Sequence, residues 1–172
     1  FYHDMGLIGF VLVPLIAQLS ADYIGTRTFA MRPRLWLKII SDNRGTVSSS
    51  PTFGYALCAR RLRPEDYERY DLSSWRAACV GAEPIKAQPL AAFAEALAPC
   101  GFNAKAFTAC YGMAETVLAI SFAPLGQGIH VDTVDAEGHP GGQPLVAHRP
   151  HRHRHPDVVV ALLLPRPRPE GV

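Results

Sequence analysis

From Met5 to Leu19 apolar residues fall on nearly every side of a helical projection, which predicts a helix covered by other elements. "ADYIGT" (21–26) then alternates like a short strand, with Gly25 as its stop. Pro33 suits a first helical turn and opens a predicted helix to about Asp42, which Gly45 ends. "TVSSS" (46–50) returns as a strand, and Pro51 starts a helical stretch, "PTFGYALCARRL". After a polar, turn-rich span at 64–74, "WRAACVG" (75–81) is an apolar strand. "IKAQPLAAFAEALAPCG" (85–101) has the spacing of an amphipathic helix closed by Gly101. "AKAFTACYG" (104–112) is the next strand, and "VLAISFAP" (117–124) is a further apolar segment. Helix and strand thus alternate repeatedly between Arg32 and Gly112, which argues for an α/β fold with mostly parallel strands. In such folds the functional loops lie beyond the carboxyl ends of the strands. The turns there are "SSPTFGY", "GAEPI" and "YGMAET", three polar, Gly- or Pro-bearing loops gathered on one rim.

Composition narrows the class. A hydrophobic content of 48% with 19% charged residues is that of a globular chain, and a net charge of +2 gives no pull toward nucleic acid or a membrane surface. The apolar run 5–19 carries Pro14 and Gln18 and falls short of the roughly 18–20 residues of a bilayer span, so no integral membrane segment is expected. No charged segment precedes it, which argues against a signal peptide. Cys58, Cys79, Cys100 and Cys110 stand far apart with no C-x-x-C pair, as expected of reduced thiols in a cytoplasmic protein rather than a zinc site or a disulfide framework. Composition changes near Gly138. Residues 139–172 hold five of the seven His, seven of the 15 Pro and five of the 17 Lys/Arg. Residues 1–138 therefore read as one domain, and 139–172 as a low-complexity tail whose "DVVVALLL" (157–164) could form one strand. Arg residues between the His of "HRPHRHRH" oppose a cation there.

The candidate chemistry lies at the strand ends. Gly112 lets a ligand approach the backbone, Tyr111 offers a flat face to a heterocycle, and Glu115 is a carboxylate of the kind that holds Mg²⁺ beside phosphates. The same residues equally suit a core Tyr, a turn Gly and an acid at a helix start. Gly81-Ala82-Glu83-Pro84 either keeps a groove open, with Glu83 accepting from a ligand, or forms a left-handed turn before a helix. His3 could titrate or meet a carboxylate, whereas Asp4 reads as an N-cap. In "SSPTFGY", Phe53 and Tyr55 fit a pocket wall or plain core alike.

Taken in order, "YHDMGLIG", "SSPTFGY", "VGAEPI" and "YGMAET" resemble the adenylate-forming, acyl-activating enzyme superfamily, and most of all its fatty-acyl-AMP ligases. The resemblance covers about residues 1–136 and implies part of the large N-terminal, AMP-binding domain. It implies an enzyme that joins a fatty acid to the α-phosphate of ATP with loss of pyrophosphate. The acyl group then passes to the phosphopantetheine thiol of an acyl carrier protein or polyketide synthase, or alternatively to CoA. By the same resemblance Tyr111 stacks on adenine, Gly81, Ala82 and Glu83 line the adenine pocket, and Glu115 binds Mg²⁺. His3 lies near the reacting carboxylate, and Phe53, Gly54, Gly112 and Met113 border the acyl channel. Ala114 departs from the Thr usual in the wider superfamily and matches the acyl-AMP ligase version, at the loss of one phosphate contact. The Lys-ending phosphate loop, the ribose-binding Asp and the distal catalytic Lys of the family are not found. The resemblance therefore implies an internal fragment, inactive alone, with an out-of-frame tail and an apolar face at 7–16 that lowers solubility. A non-catalytic nucleotide- or acyl-binding remnant is the reading from another class.

Overall fold

A computed structural model describes residues 3–131 and 160–163 of the chain. Its centre is a six-stranded sheet in the order β1-β6-β2-β3-β4-β5. The strands are β1 (Ala21–Ile24), β2 (Val47–Ser50), β3 (Ala77–Val80), β4 (Phe107–Tyr111), β5 (Ser121–Phe122) and β6 (Val160–Leu163). β2, β3 and β4 pair in parallel, Val47 opposite Ala77 and Ala78 opposite Phe107. β6 is antiparallel to both β1 and β2, so β1 runs in the direction of the parallel trio, and β5 folds back on β4. Four of the six strands thus run in one direction, the mostly parallel arrangement that the alternation of helix and strand predicts.

Strand periodicity decides which side chains go where, because successive residues point to opposite faces. On one face Ser48, Ser50, Ala78, Val80 and Phe107 are buried beneath α3 (Arg34–Asn43), α4 (Thr52–Ala59) and α6 (Ala87–Leu97). There the core is aromatic: Trp36, Tyr55, Trp75, Phe93, Phe102 and Phe107 pack mainly edge to face, with Trp36–Trp75 and Tyr55–Phe93 centroids each 5.1 Å apart. Their polar tips are satisfied inside. Trp36 Nε1 donates to Ser48 Oγ at 2.9 Å, Trp75 Nε1 to the Ala77 carbonyl at 3.1 Å and Tyr55 Oη to the Cys79 carbonyl at 2.8 Å. Each such side chain, fully buried, stabilises the fold by about 1.5–3 kcal/mol.

Two short helices escape the sequence pattern: α2 (Thr26–Met31) and α5 (Asp66–Arg69). Neither is long enough to show a period, and each is held by one buried group. Phe29 anchors α2 in the core. Asp66, buried, fixes α5 by accepting from Arg34 Nη1 at 2.9 and 3.0 Å and from the Arg63 backbone N–H at 2.8 Å.

The opposite face of the sheet carries Val47, Ser49, Cys79 and Cys110 toward the N-terminal helix. That helix is a wide π-type segment over Met5–Leu12 that tightens into α1 (Val13–Ala17). Phe10 is its anchor, buried against Met5, Leu19, Ala21 and Val47. The expected covering of this helix on all sides does not hold among the described residues. Leu15 is 72% and Ile16 81% exposed, since the sheet meets only one side of it. Among the described residues no helix is long and apolar enough to cross a membrane. The tail lies outside the described residues apart from β6, whose backbone occupies the slot between β1 and β2.

Candidate functional site

At the carboxyl ends of β3 and β4 the chain opens a cleft of about 950 Å³ between the sheet and the N-terminal helix. Its walls are mostly apolar, from Leu7, Ile8 and Phe10 on the helix to Val117, Leu118 and Phe122 beyond β4. His3, Gly81, Ala82, Tyr111, Gly112, Met113 and Ala114 all border it, so residues far apart in sequence meet at one rim.

The turn after β3 needs its residue types. A Cβ on Gly81 would stand 2.5 Å from the Cys110 carbonyl oxygen, so only Gly lets β3 and β4 end this close together. Ala82 follows in the left-handed region at φ +64°, as the turn reading expects. That reversal directs Glu83 back over α4, where its Oε1 accepts from the Phe53 N–H at 3.1 Å. Glu83 therefore caps a helix N-terminus instead of bordering the cleft, and the Lys86 N–H reaches Thr52 Oγ1 at 3.4 Å beside it.

The turn after β4 is tighter still. A Cβ on Gly112 would fall 1.7 Å from the Leu118 carbonyl oxygen, because the chain returns at once through β5. The Ile120 N–H donates to the Tyr111 carbonyl at 2.9 Å and the Ala123 N–H to the Ala109 carbonyl at 2.8 Å. Tyr111 is thereby lifted out of the core and left 62% exposed, a free aromatic face at the rim. Glu115 is exposed on the single 3-10 turn Ala114–Thr116, between two residues that border the cleft. One turn is too short to develop a helix dipole, so the reading of Glu115 as an ordinary helix-start acid has no helix beneath it.

His3 enters from the other side. Its Nδ1 lies 2.6 Å from Asp4 Oδ1 and 3.1 Å from the Met5 nitrogen. One ring nitrogen cannot donate to the first and accept from the second at once. The Met5 N–H also has Asp4 Oδ1 at 2.9 Å, so His3, Asp4 and the Met5 N–H form one local cluster at the helix start. Asp4 thus caps the helix as expected and also lies against the imidazole, fixing its orientation.

Phe53 and Gly54 do not border this cleft. Gly54 lies on α4 with its would-be Cβ 2.0 Å from Ser50 Oγ, where helix and strand press together, and Phe53 packs against the core. Cys79 and Cys110, read from the sequence only as separate thiols, both form part of the cleft floor; the alternation of "AACV" with "TACY" across neighbouring strands is the signal that places them on one face. Among the described residues no three His, Cys, Asp or Glu cluster as a metal site.

Comparison with known proteins bears on this cleft. The family model for AMP-binding enzymes matches residues 1–150, past the change of composition at Gly138. A Caulobacter vibrioides protein whose name includes acyl-CoA synthetase is 54% identical over 136 residues, covering 79% of this chain and 24% of that protein. A medium-chain-fatty-acid–[acyl-carrier-protein] ligase of Teredinibacter turnerae is 43% identical, over 70% of this chain and 19% of its own length. A solved fatty acyl-adenylate ligase structure, from work on the E. coli and L. pneumophila proteins, superposes with a TM-score of 0.73 at 55% identity, over 74% of this chain and 23% of that one. The L. pneumophila ligase in complex with acyl adenylate and pyrophosphate gives a TM-score of 0.71 at 39% identity, over 74% and 22% of the two chains. The chain thus spans about a quarter of the length of the relatives it matches.

Proposed function

Because this chain belongs to the AMP-binding enzyme family, we propose that it forms part of a cytoplasmic fatty-acyl-AMP ligase and supplies one wall of the adenylation site. The observation that carries the proposal is the meeting of His3, Gly81, Ala82 and Tyr111–Ala114 around one apolar cleft. In this reading a fatty acid's carboxylate attacks the α-phosphorus of ATP, the bond to pyrophosphate breaks, and an acyl-adenylate forms. A phosphopantetheine thiol on an acyl carrier protein or polyketide synthase then takes the acyl group and releases AMP. The names of the ligases from Teredinibacter turnerae and Moorena producens favour a carrier-protein acceptor. The 54% identical Caulobacter relative keeps a CoA acceptor as the second reading.

Each residue's part follows from its chemistry. Tyr111, exposed at the rim, stacks on the adenine ring. Gly81 and Ala82 put backbone, with no bulky side chain, against the ring edge, and Glu83 stiffens the turn by holding the Phe53 N–H. Gly112 and Met113 border the acyl path, to which Phe53 and Gly54 contribute only from beneath. His3, held beside Asp4 at the border of the cleft, lies near the reacting carboxylate. Mg²⁺ binds proteins through one or two carboxylates together with substrate phosphates, and the exposed, unclustered Glu115 fits that donor set. When bound, the ion would neutralise phosphate charge. The change of composition at Gly138 still marks 139–172 as a segment apart, and reading the gene in its other two frames tests whether it is out of frame.

The test uses the natural chain that carries this segment. Incubated with ATP and a medium-chain fatty acid, it should release pyrophosphate and accumulate acyl-AMP until a carrier protein is added. Tyr111→Ala should raise KM for ATP about tenfold with a smaller change in kcat, since stacking contributes about 1–3 kcal/mol. Glu115→Gln should lower kcat about 100-fold and raise the Mg²⁺ requirement. Absence of fatty-acid-dependent pyrophosphate release would sink the reading, and thioester formed with CoA but not with carrier protein would select the alternative.

A further inference from the structure

We propose that Phe10 is the stop that sets acyl length in this cleft and limits it to an unsubstituted fatty acid of medium chain, an inference that rests on the ligase reading above. The cleft runs down the sheet from a rim of Gly81, Gly112 and Met113 to Val47, all of which border it. Val47 stands opposite Ala77, four residues before Gly81, so the strand path from rim to Val47 is about 13 Å. A hydrocarbon chain advances nearly as far per bond as an extended backbone, with three bonds to a residue. That depth therefore holds about ten carbons.

Depth sets a limit only where the far end is closed. There the Met5–Leu12 segment comes down onto β2. Met5 Sδ lies 3.5 Å from Ser49 Oγ, and deeper in, Phe10 is 5% exposed and packed against Met5, Leu19, Ala21 and Val47. The Phe10 backbone is held as well, since Tyr23 Oη, from β1, donates to its carbonyl at 2.5 Å. Beside it a Cβ on Gly9 would stand 3.2 Å from Leu118 Cδ2, so the helix also meets the segment beyond β4 along this flank. The two side chains differ in kind. Met5 is unbranched and gives way to a ligand, whereas a packed aromatic ring cannot move without leaving a void.

The lining decides what the chain carries. Among the described residues that border the cleft, His3 and Asp4 are the only basic and acidic side chains, and both belong to the helix start. A charged group at the far end of the acyl chain would be buried there without a partner, which is costly. The deep part thus suits plain hydrocarbon.

The experiment measures pyrophosphate release by the natural chain that carries this segment, with hexanoate, decanoate and palmitate. kcat/KM should be at least about tenfold higher for decanoate than for palmitate, as a single methylene in an apolar pocket can already change it that much. Phe10→Ala should bring these two acids within about threefold of each other, with Phe10→Leu in between. A merely structural role for Phe10 lowers both acids by one factor and leaves their ratio unchanged, which overturns the proposal. Where circular dichroism shows Phe10→Ala unfolded, Val47→Phe decides from the other direction. It should cut decanoate relative to hexanoate about tenfold, and an unchanged ratio overturns the stop. Palmitate used as well as decanoate by the natural chain overturns it too, the acyl chain then leaving past Val13. Absence of release with all three acids sinks instead the ligase reading, and the stop with it.

Discussion

Asp66 shows how much one side chain can organise. Burial acts to raise its pKa, yet hydrogen bonds from Arg34, the Arg63 backbone and Tyr70 outweigh it and hold the carboxyl below its ordinary value. Because the folded value lies below the unfolded one, the group stabilises the fold at pH values above about 4. That contribution is lost as pH falls through the folded value. Asp66→Asn should cost about 2–3 kcal/mol at neutral pH, since the Arg34 guanidinium loses its anion, and should flatten the acid limb of stability below about pH 4. Urea unfolding of both proteins from neutral pH down into that range measures the difference. At this scale the sequence was least legible. "PEDYERYD" reads as a polar loop, and only the arrival of Arg34 from 32 residues away makes Asp66 an interior residue. Glu83 was obscured in the same way, because its partner is a backbone N–H 30 residues back.

At the scale of elements the hydrophobic pattern carried further. α3, α4, α6 and β2–β4 match the predicted spans to within a residue or lie inside them, because each buries one face and so writes its period into the sequence. α2 and α5 were hidden by brevity. The N-terminal helix was recognised but its surroundings were not, since an all-round apolar sequence says that something covers the helix without saying what. Its outer side at Leu15 and Ile16 provides a direct check. Ile16→Lys with Leu15→Gln should raise the solubility of the 172-residue chain and shift its stability by no more than about 0.5 kcal/mol. The same pair in a full-length relative, where further chain is available to cover this side, should lower stability by about 2 kcal/mol or more. Solubility by ultracentrifugation and thermal unfolding of both proteins decide it.

At the scale of the whole molecule the rim was legible as a place, since parallel strands send their carboxyl ends to one edge, and three Gly- or Pro-bearing turns announced it. The cleft itself was not, for it exists only where the Met5–Leu12 segment crosses the sheet. The six-stranded order also depends on β6, set antiparallel between β1 and β2 by backbone hydrogen bonds. Strands in a sheet sit about 4.8 Å apart, so removing one from the interior leaves β1 and β2 nearly 10 Å from each other, too far to pair. Ending the chain before Asp157 should therefore bare two rows of unsatisfied N–H and C=O groups that face each other across an empty lane. Such rows template intermolecular pairing. The truncated chain should associate more strongly than the 172-residue chain at equal concentration, visible by light scattering. Because that lane is filled through main-chain contacts, its occupant is chosen by the reach and direction of a backbone more than by side-chain identity, and a wide range of apolar strands would satisfy it.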